Sequence, residues 1–124
     1  MTGLMDRVLD FLATANTLRE IPVTQPTGCI GRLNASTKFY ALGRLRILIF
    51  RVEQLPTGKT GEPAMAYIPA TEAPPDTQFV GYGMTGTFPT ASPYVFITVD
   101  GKIGANSTLT NPANQIMFST IWVK

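Results

Sequence analysis

The sequence predicts a mainly β protein: a small antiparallel β-sandwich or barrel head preceded by a short N-terminal α-helix. Three observations carry this prediction. After residue 36 the chain breaks into short runs rich in Val, Ile, Phe and Tyr, residues that suit a pleated, packed surface. The 10 prolines and 11 glycines sit mostly between those runs, where an all-β fold needs its turns. Helical spacing of apolar residues is confined to the first segment. At 124 residues the chain has the length of one domain.

Residues 1–20 hold the helical candidate. Met1, Leu4, Val8, Phe11 and Ala15 follow the a/d rhythm of a coiled coil, with Met5 and Leu12 widening the stripe. The same stripe fits an amphipathic helix packed on its own domain. A segment this short does not hold a coiled coil alone. A trimeric coiled-coil end here therefore needs either the head beyond it or a longer stalk upstream. Residues 21–36 read as a linker, because Pro22, Pro26, Gly28 and Gly31 block helix and favour an extended path.

Residues 37–124 form the expected β head. Lys38–Leu42 is short and aromatic, and Leu45–Val52 is the strongest strand, followed by Pro56 and Gly58. Ala64–Ile68 stops at Pro69. Gln78–Thr87 contains Gly81, Gly83 and Gly86, which predict bulges or close backbone approach. Tyr94–Val99 runs into Asp100-Gly101, a short hairpin signal, with Lys102-Ile103 beyond it. Ile116–Val123 is the closing strand.

Parity in two strands carries a further expectation. In the closing strand, Ile116, Phe118, Thr120 and Trp122 alternate with Met117, Ser119, Ile121 and Val123, so both faces are apolar. Tyr94 and Phe96 alternate with Val95, Ile97 and Val99 in the same way. A half-exposed strand would alternate apolar with polar. The second cover is either another subunit or a loop folded over a central strand.

Composition excludes several functions. Charged residues are 15% of the chain, against about 25% in a typical domain, and hydrophobic residues are 44%. So small a domain cannot hide that much apolar surface alone, which points to burial against other subunits. The formal net charge of +2, with Arg44, Arg46 and Arg51 as the densest basic group, does not imply a nucleic-acid partner. Cys29 is the single cysteine and there is no histidine, so the chain lacks an internal disulfide, zinc ligands, and a base for a thiol nucleophile. No cofactor is expected. Asp6, Arg7 and Asp10 interrupt the N-terminal apolar run, which argues against a signal peptide, and no stretch suits membrane insertion. The expectation is a soluble protein made in a cytoplasm.

From about Gly43 onward, the order of pieces resembles the C-terminal head of phage tail-fibre and baseplate receptor-binding proteins, familiar from phages of Gram-positive bacteria. Gly43-Arg44 opens a hydrophobic strand and Leu55-Pro56-Thr57-Gly58 makes a turn. Ile68-Pro69-Ala70, Pro74-Pro75 and a Gly-rich strand follow. Then come Val95-Phe96-Ile97-Thr98-Val99-Asp100-Gly101-Lys102-Ile103, a polar loop, and the Ile116–Val123 strand. The resemblance covers roughly 80 residues, with a stalk-like lead through Arg19-Glu20-Ile21-Pro22. It implies a homotrimer of heads in the virion, made in the host cytoplasm, that binds a host cell-surface saccharide. It also implies an upstream phage tail or baseplate protein as partner. A full fibre carries an N-terminal attachment module, so this chain is expected to be a fragment or to dock by its helix.

A saccharide site needs an aromatic face and a few polar groups that fix hydroxyls. Tyr40, Tyr67, Tyr82, Tyr94 and Trp122 are the aromatic candidates. Tyr82, in a Gly-flanked strand, is the preferred platform, with Asp76, Asn106 and Asn111 as loop polar partners. Trp122 is either a ligand contact or a core residue. A glycan hydrolase would need two carboxylates across a cleft. Glu53, Glu62, Glu72, Asp76 and Asp100 all sit at predicted turns or strand ends, with nothing in the sequence that pairs them, so no catalytic residue is expected. A structural baseplate or head-fibre component is the competing non-enzymatic reading.

Overall fold

The structure is a computed structural model that describes residues 3–7, 18–56, 61–85, 94–106 and 114–124. It is mainly β, with two antiparallel sheets sharing one hydrophobic core. Residues 3–7 are helical, with Leu4 and Met5 exposed. Met1, Val8, Phe11, Leu12 and Ala15, the rest of the apolar stripe, lie outside the described residues.

The first sheet contains β1 (Leu18–Glu20), β2 (Arg32–Leu33), β3 (Lys38–Leu42), β4 (Leu45–Leu55), β7 (Gly83–Thr85) and β10 (Asn114–Val123). Its order is β1-β3-β4-β10-β7, with β2 beside the far end of β4. The second sheet has the order β5-β9-β8-β6, formed by β5 (Ala64–Tyr67), β6 (Gln78–Val80), β8 (Tyr94–Ile97) and β9 (Lys102–Asn106).

Alternation explains which residues enter the core. In β4, Arg46, Leu48, Phe50 and Val52 point inward, and Leu45, Ile47, Ile49 and Arg51 point outward. Phe39 and Ala41 of β3 join the inner face, as do Ile116, Phe118 and Trp122 of β10. Phe50 stands opposite Phe118 in register, with ring centroids 5.0 Å apart. The second sheet contributes Met65, Val95, Ile97, Ile103 and Ala105. Each large aliphatic or aromatic side chain so buried stabilises the fold by about 1.5–3 kcal/mol.

Of the run expected as one strand over Gln78–Thr87, the described part through Thr85 is two strands in different sheets, and Gly86 and Thr87 lie outside the described residues. The chain leaves the second sheet after Val80, passes Gly81 and Tyr82, and joins the first sheet at Gly83. Three pairs tie each piece in: β6 to β8, and β7 to β10. The Gln78 amide also donates to the Thr120 hydroxyl on β10. The glycines mark a crossing between sheets here, rather than a bulge within one strand.

The segment over residues 21–36 closes the other side of the two sheets. Ile21 and Ile30 are buried in the core. Thr24 and Tyr67 exchange backbone hydrogen bonds of 2.9 and 2.8 Å, and the Ile30 N–H donates to Ala64 O at 2.9 Å. The Gln25 amide donates to Met65 O at 2.9 Å and accepts from the Leu33 N–H at 3.0 Å. Its prolines and glycines thus shape an edge of the domain.

Arg46 is the charged residue among the buried side chains of the inner faces. A buried charge requires partners. Arg46 Nε donates to the Glu72 carboxylate, and Nη1 donates to Gly43 O at 2.8 Å. Glu72 closes a 3-10 turn, Ala70–Glu72, that lies against β10. Trp122 Nε1 donates to Glu72 O at 3.0 Å, and Lys124 Nζ donates to Ala73 O at 3.0 Å.

Candidate functional site

The Asp100-Gly101 hairpin places the candidate site. Its turn is closed by the Gly101 N–H donating to Thr98 O at 3.0 Å, with Gly101 at φ +90°. This turn fixes the register of β8 against β9: Phe96 lies opposite Gly104, and Tyr94 opposite Asn106. Because Val95 and Ile97 face the core, Tyr94 and Phe96 face outward. β6 adds Phe79 beside Phe96 on the same face.

Three aromatic rings therefore meet on the outside of the second sheet. The Phe79 and Tyr94 centroids are 5.5 Å apart, edge to face, and both rings lie about 6 Å from Phe96. Phe79 is 68% exposed and Phe96 only 3%. Phe96 is buried on the outer side of its sheet, beneath its neighbours. Gly104 permits this, since a Cβ there would lie 2.7 Å from the Phe96 ring. Lys102 extends over the same ring, with Nζ 5.7 Å from its centroid.

A polar chain borders the rings. The Asn106 amide donates to the Tyr94 hydroxyl at 3.0 Å, and that hydroxyl donates to Glu62 Oε1 at 3.0 Å. The Glu62 hydrogen bond holds the Tyr94 phenol above its ordinary pKa. The patch thus offers an exposed apolar ring face, an acceptor-only carboxylate, an amide that both donates and accepts, and a cation.

The predicted site residues are distributed differently. Asn106 is in this patch. Asp76 is exposed in the bend before β6, close in sequence to Phe79. Tyr82 lies where the chain crosses between sheets, packed against the core, and burial raises its pKa. Asn111 lies outside the described residues. Trp122, a candidate ligand contact, is instead a core residue: it is 6% exposed, and its ring centroid is 5.3 Å from that of Phe39. Its inward parity on β10 removes it from any surface site. Glu62, Phe79 and Lys102 were not among the predicted site residues.

Two of the other carboxylates, Glu53 and Glu72, have structural partners. Glu53 accepts from Arg32 at 3.0 Å, which holds its pKa below the ordinary range. Glu72 is bound by Arg46 and Arg19. Among the described residues, no group of three or more His, Cys, Asp or Glu side chains is placed to hold a metal ion. No helix among them is long and apolar enough to cross a membrane. Comparison with protein-family models, curated proteins and solved structures finds no match.

Proposed function

We propose that this chain is the receptor-binding head of a phage tail-fibre or baseplate protein, which attaches the virion to a host cell-surface saccharide without cleaving it. The observation that carries this reading is the pair of exposed rings, Phe79 and Tyr94, packed over the buried Phe96 and bordered by Glu62 and Asn106. A sugar ring presents C–H faces that release water when they stack on an aromatic ring, and hydroxyls that both donate and accept. The patch supplies partners for both. It lies on an open sheet face, so a single site binds weakly. Three copies in a homotrimer, carried by an upstream tail or baseplate protein, would turn weak sites into firm adhesion. The order of turns and strands from Gly43 onward supports the same assignment.

Glycan arrays on the purified protein test this reading. Wild type is expected to retain a host-envelope saccharide, and Phe79→Ala to bind it about 3- to 10-fold more weakly, the loss of one stacking ring. Phe79 is largely exposed but packs on Tyr94 and covers Phe96, so its truncation should lower the unfolding free energy by only about 1 kcal/mol and leave the fold intact. No retention of any host-envelope saccharide, together with firm binding to another tail protein, would overturn the reading in favour of a structural component. Release of soluble products from host polysaccharide, abolished by Glu62→Gln, would replace it with a hydrolase.

A further inference from the structure

Of the four glutamates in the chain, three are ion-paired: Glu20 with Lys38, Glu53 with Arg32, and Glu72 with Arg19 and Arg46. Glu62 is the fourth, and among the described residues it has no cationic partner. A lone exposed carboxylate is ordinary on a protein surface. What distinguishes Glu62 is that it is held beside exposed rings.

The hydrogen bonds there can run in one direction only. An ionised carboxylate only accepts, so the Tyr94 hydroxyl gives Glu62 its proton. The phenol oxygen is then left as an acceptor, so Asn106 meets it with its amide N–H and not its carbonyl. Among the described residues, nothing else engages Glu62 Oε2 or Asn106 Oδ1. One amide hydrogen of Asn106 is the donor that remains. This edge therefore presents mainly acceptors, one of them with a full negative charge. Beside it the Phe79 ring is 68% exposed and the Tyr94 ring 37%. A carboxylate and the negative face of an aromatic ring attract the same group, a cation that also donates hydrogen bonds. The patch's own cation lies at its other end: Lys102 is four residues from Asn106 along β9, about 13 Å at the rise of a strand, and extends over Phe96.

We infer that the Glu62 edge selects a saccharide bearing a free amino group, a 2-amino-2-deoxyhexose, over its neutral and acidic counterparts. The inference rests on the saccharide reading above and names the class of sugar it takes. The sugar ammonium donates to Glu62 in a charge-assisted bond, roughly twice as strong as a bond between neutral groups. Its charge also meets the exposed ring faces. Glu62 is already oriented by Tyr94, and Tyr94 by Asn106, so binding orders little that was free. The charge of the whole molecule does not supply this preference. A formal net charge of +2 disfavours a cation, so selection for an amine is local to Glu62.

NMR titration of the full chain tests this with the methyl glycosides of glucose, galactose and mannose. Each is set beside its 2-amino, 2-acetamido and uronic acid counterparts, in buffer of about pH 6, between the ordinary carboxylate and amine ranges. Within a series, the amino sugar is expected to bind roughly 5- to 10-fold more tightly than the neutral parent. The acetamido sugar, whose nitrogen carries no charge, should gain nothing over the parent, and the uronic acid should bind more weakly. The amide resonances of Glu62, Tyr94 and Asn106 should shift with the amino sugar. Glu62→Gln keeps the shape and an acceptor for the Tyr94 hydroxyl, and should bring the amino-to-neutral ratio to about one. Equal binding of amino and neutral sugars by wild type would overturn the inference and leave the saccharide reading standing. So would tightest binding of the uronic acid, or an amine preference that survives Glu62→Gln. Binding of no member of any series would also overturn it, and only a blank glycan array besides would take the saccharide reading down as well.

Discussion

Gly101→Ala is expected to be the most damaging single methyl in the protein, costing about 4 kcal/mol, near the upper end for point substitutions. Two effects add. Gly101 has φ +90°, where an L side chain is strained by about 1–3 kcal/mol. The new Cβ would also overlap the Ile68 carbonyl oxygen and lie 3.1 Å from its carbonyl carbon. The turn cannot simply retreat, because the Ile68 N–H donates to Gly101 O at 2.9 Å and Ile68 is buried. Gly28→Ala separates the two effects. Gly28 has φ +102° but nothing within 4 Å of the added carbon. It should show the backbone strain alone, about 1–2 kcal/mol. Urea unfolding of the three proteins checks this, and equal losses in the two variants would refute the steric account.

That glycine also shows what could be read from sequence. The Asp100-Gly101 step fixes a hairpin, the hairpin fixes a register, and the register puts Tyr94 beside Asn106 and Phe96 beside Gly104. Of the candidate site, Tyr94 and Asn106 were legible in the sequence as an aromatic and a loop polar candidate. Phe79 was not, because β6 reaches β8 across a long connection whose pairing no local pattern encodes. The β3 strand was read residue for residue, since alternation and the Gly43 turn are both local. β4 runs on to Leu55 beyond its expected end, because its Glu53 pairs with Arg32, in a segment read as linker. Proline and glycine there signalled an irregular path correctly, but not that Ile21 and Ile30 would anchor it in the core. The inward side of β10 was visible as a parity. Which of its two apolar sides faced the core was decided by the second sheet, and that decision placed Trp122 inside.

Glu72→Gln is expected to destabilise the fold by about 3 kcal/mol at neutral pH, the cost of leaving a buried partner charge unpaired. Arg46 sits on the inner face of β4 with its side chain 10% exposed, and Glu72 is 15% exposed. The glutamine keeps the shape, and its backbone carbonyl still accepts from Trp122, so the change isolates the charge. Glu20→Gln removes a carboxylate whose ion pair with Lys38 is exposed on both sides, and should cost no more than about 0.5 kcal/mol. Acidification gives an independent readout. Burial pushes the Glu72 carboxyl up, but hydrogen bonds and charge from Arg46 and Arg19 pull it further down, so its folded pKa lies below the ordinary value of 4.5. A depressed folded pKa means that the unfolded chain takes up the proton first as pH falls. The stabilisation is therefore complete above the ordinary carboxylate range and is lost as pH drops through the folded value. Wild type and Glu72→Gln should differ most at neutral pH and converge in acid. The variant keeps the acid dependence from Glu53, whose carboxyl Arg32 also holds low. Parallel stability curves from pH 7 down to acid unfolding would show that the Arg46–Glu72 pair does not anchor the 3-10 turn through charge.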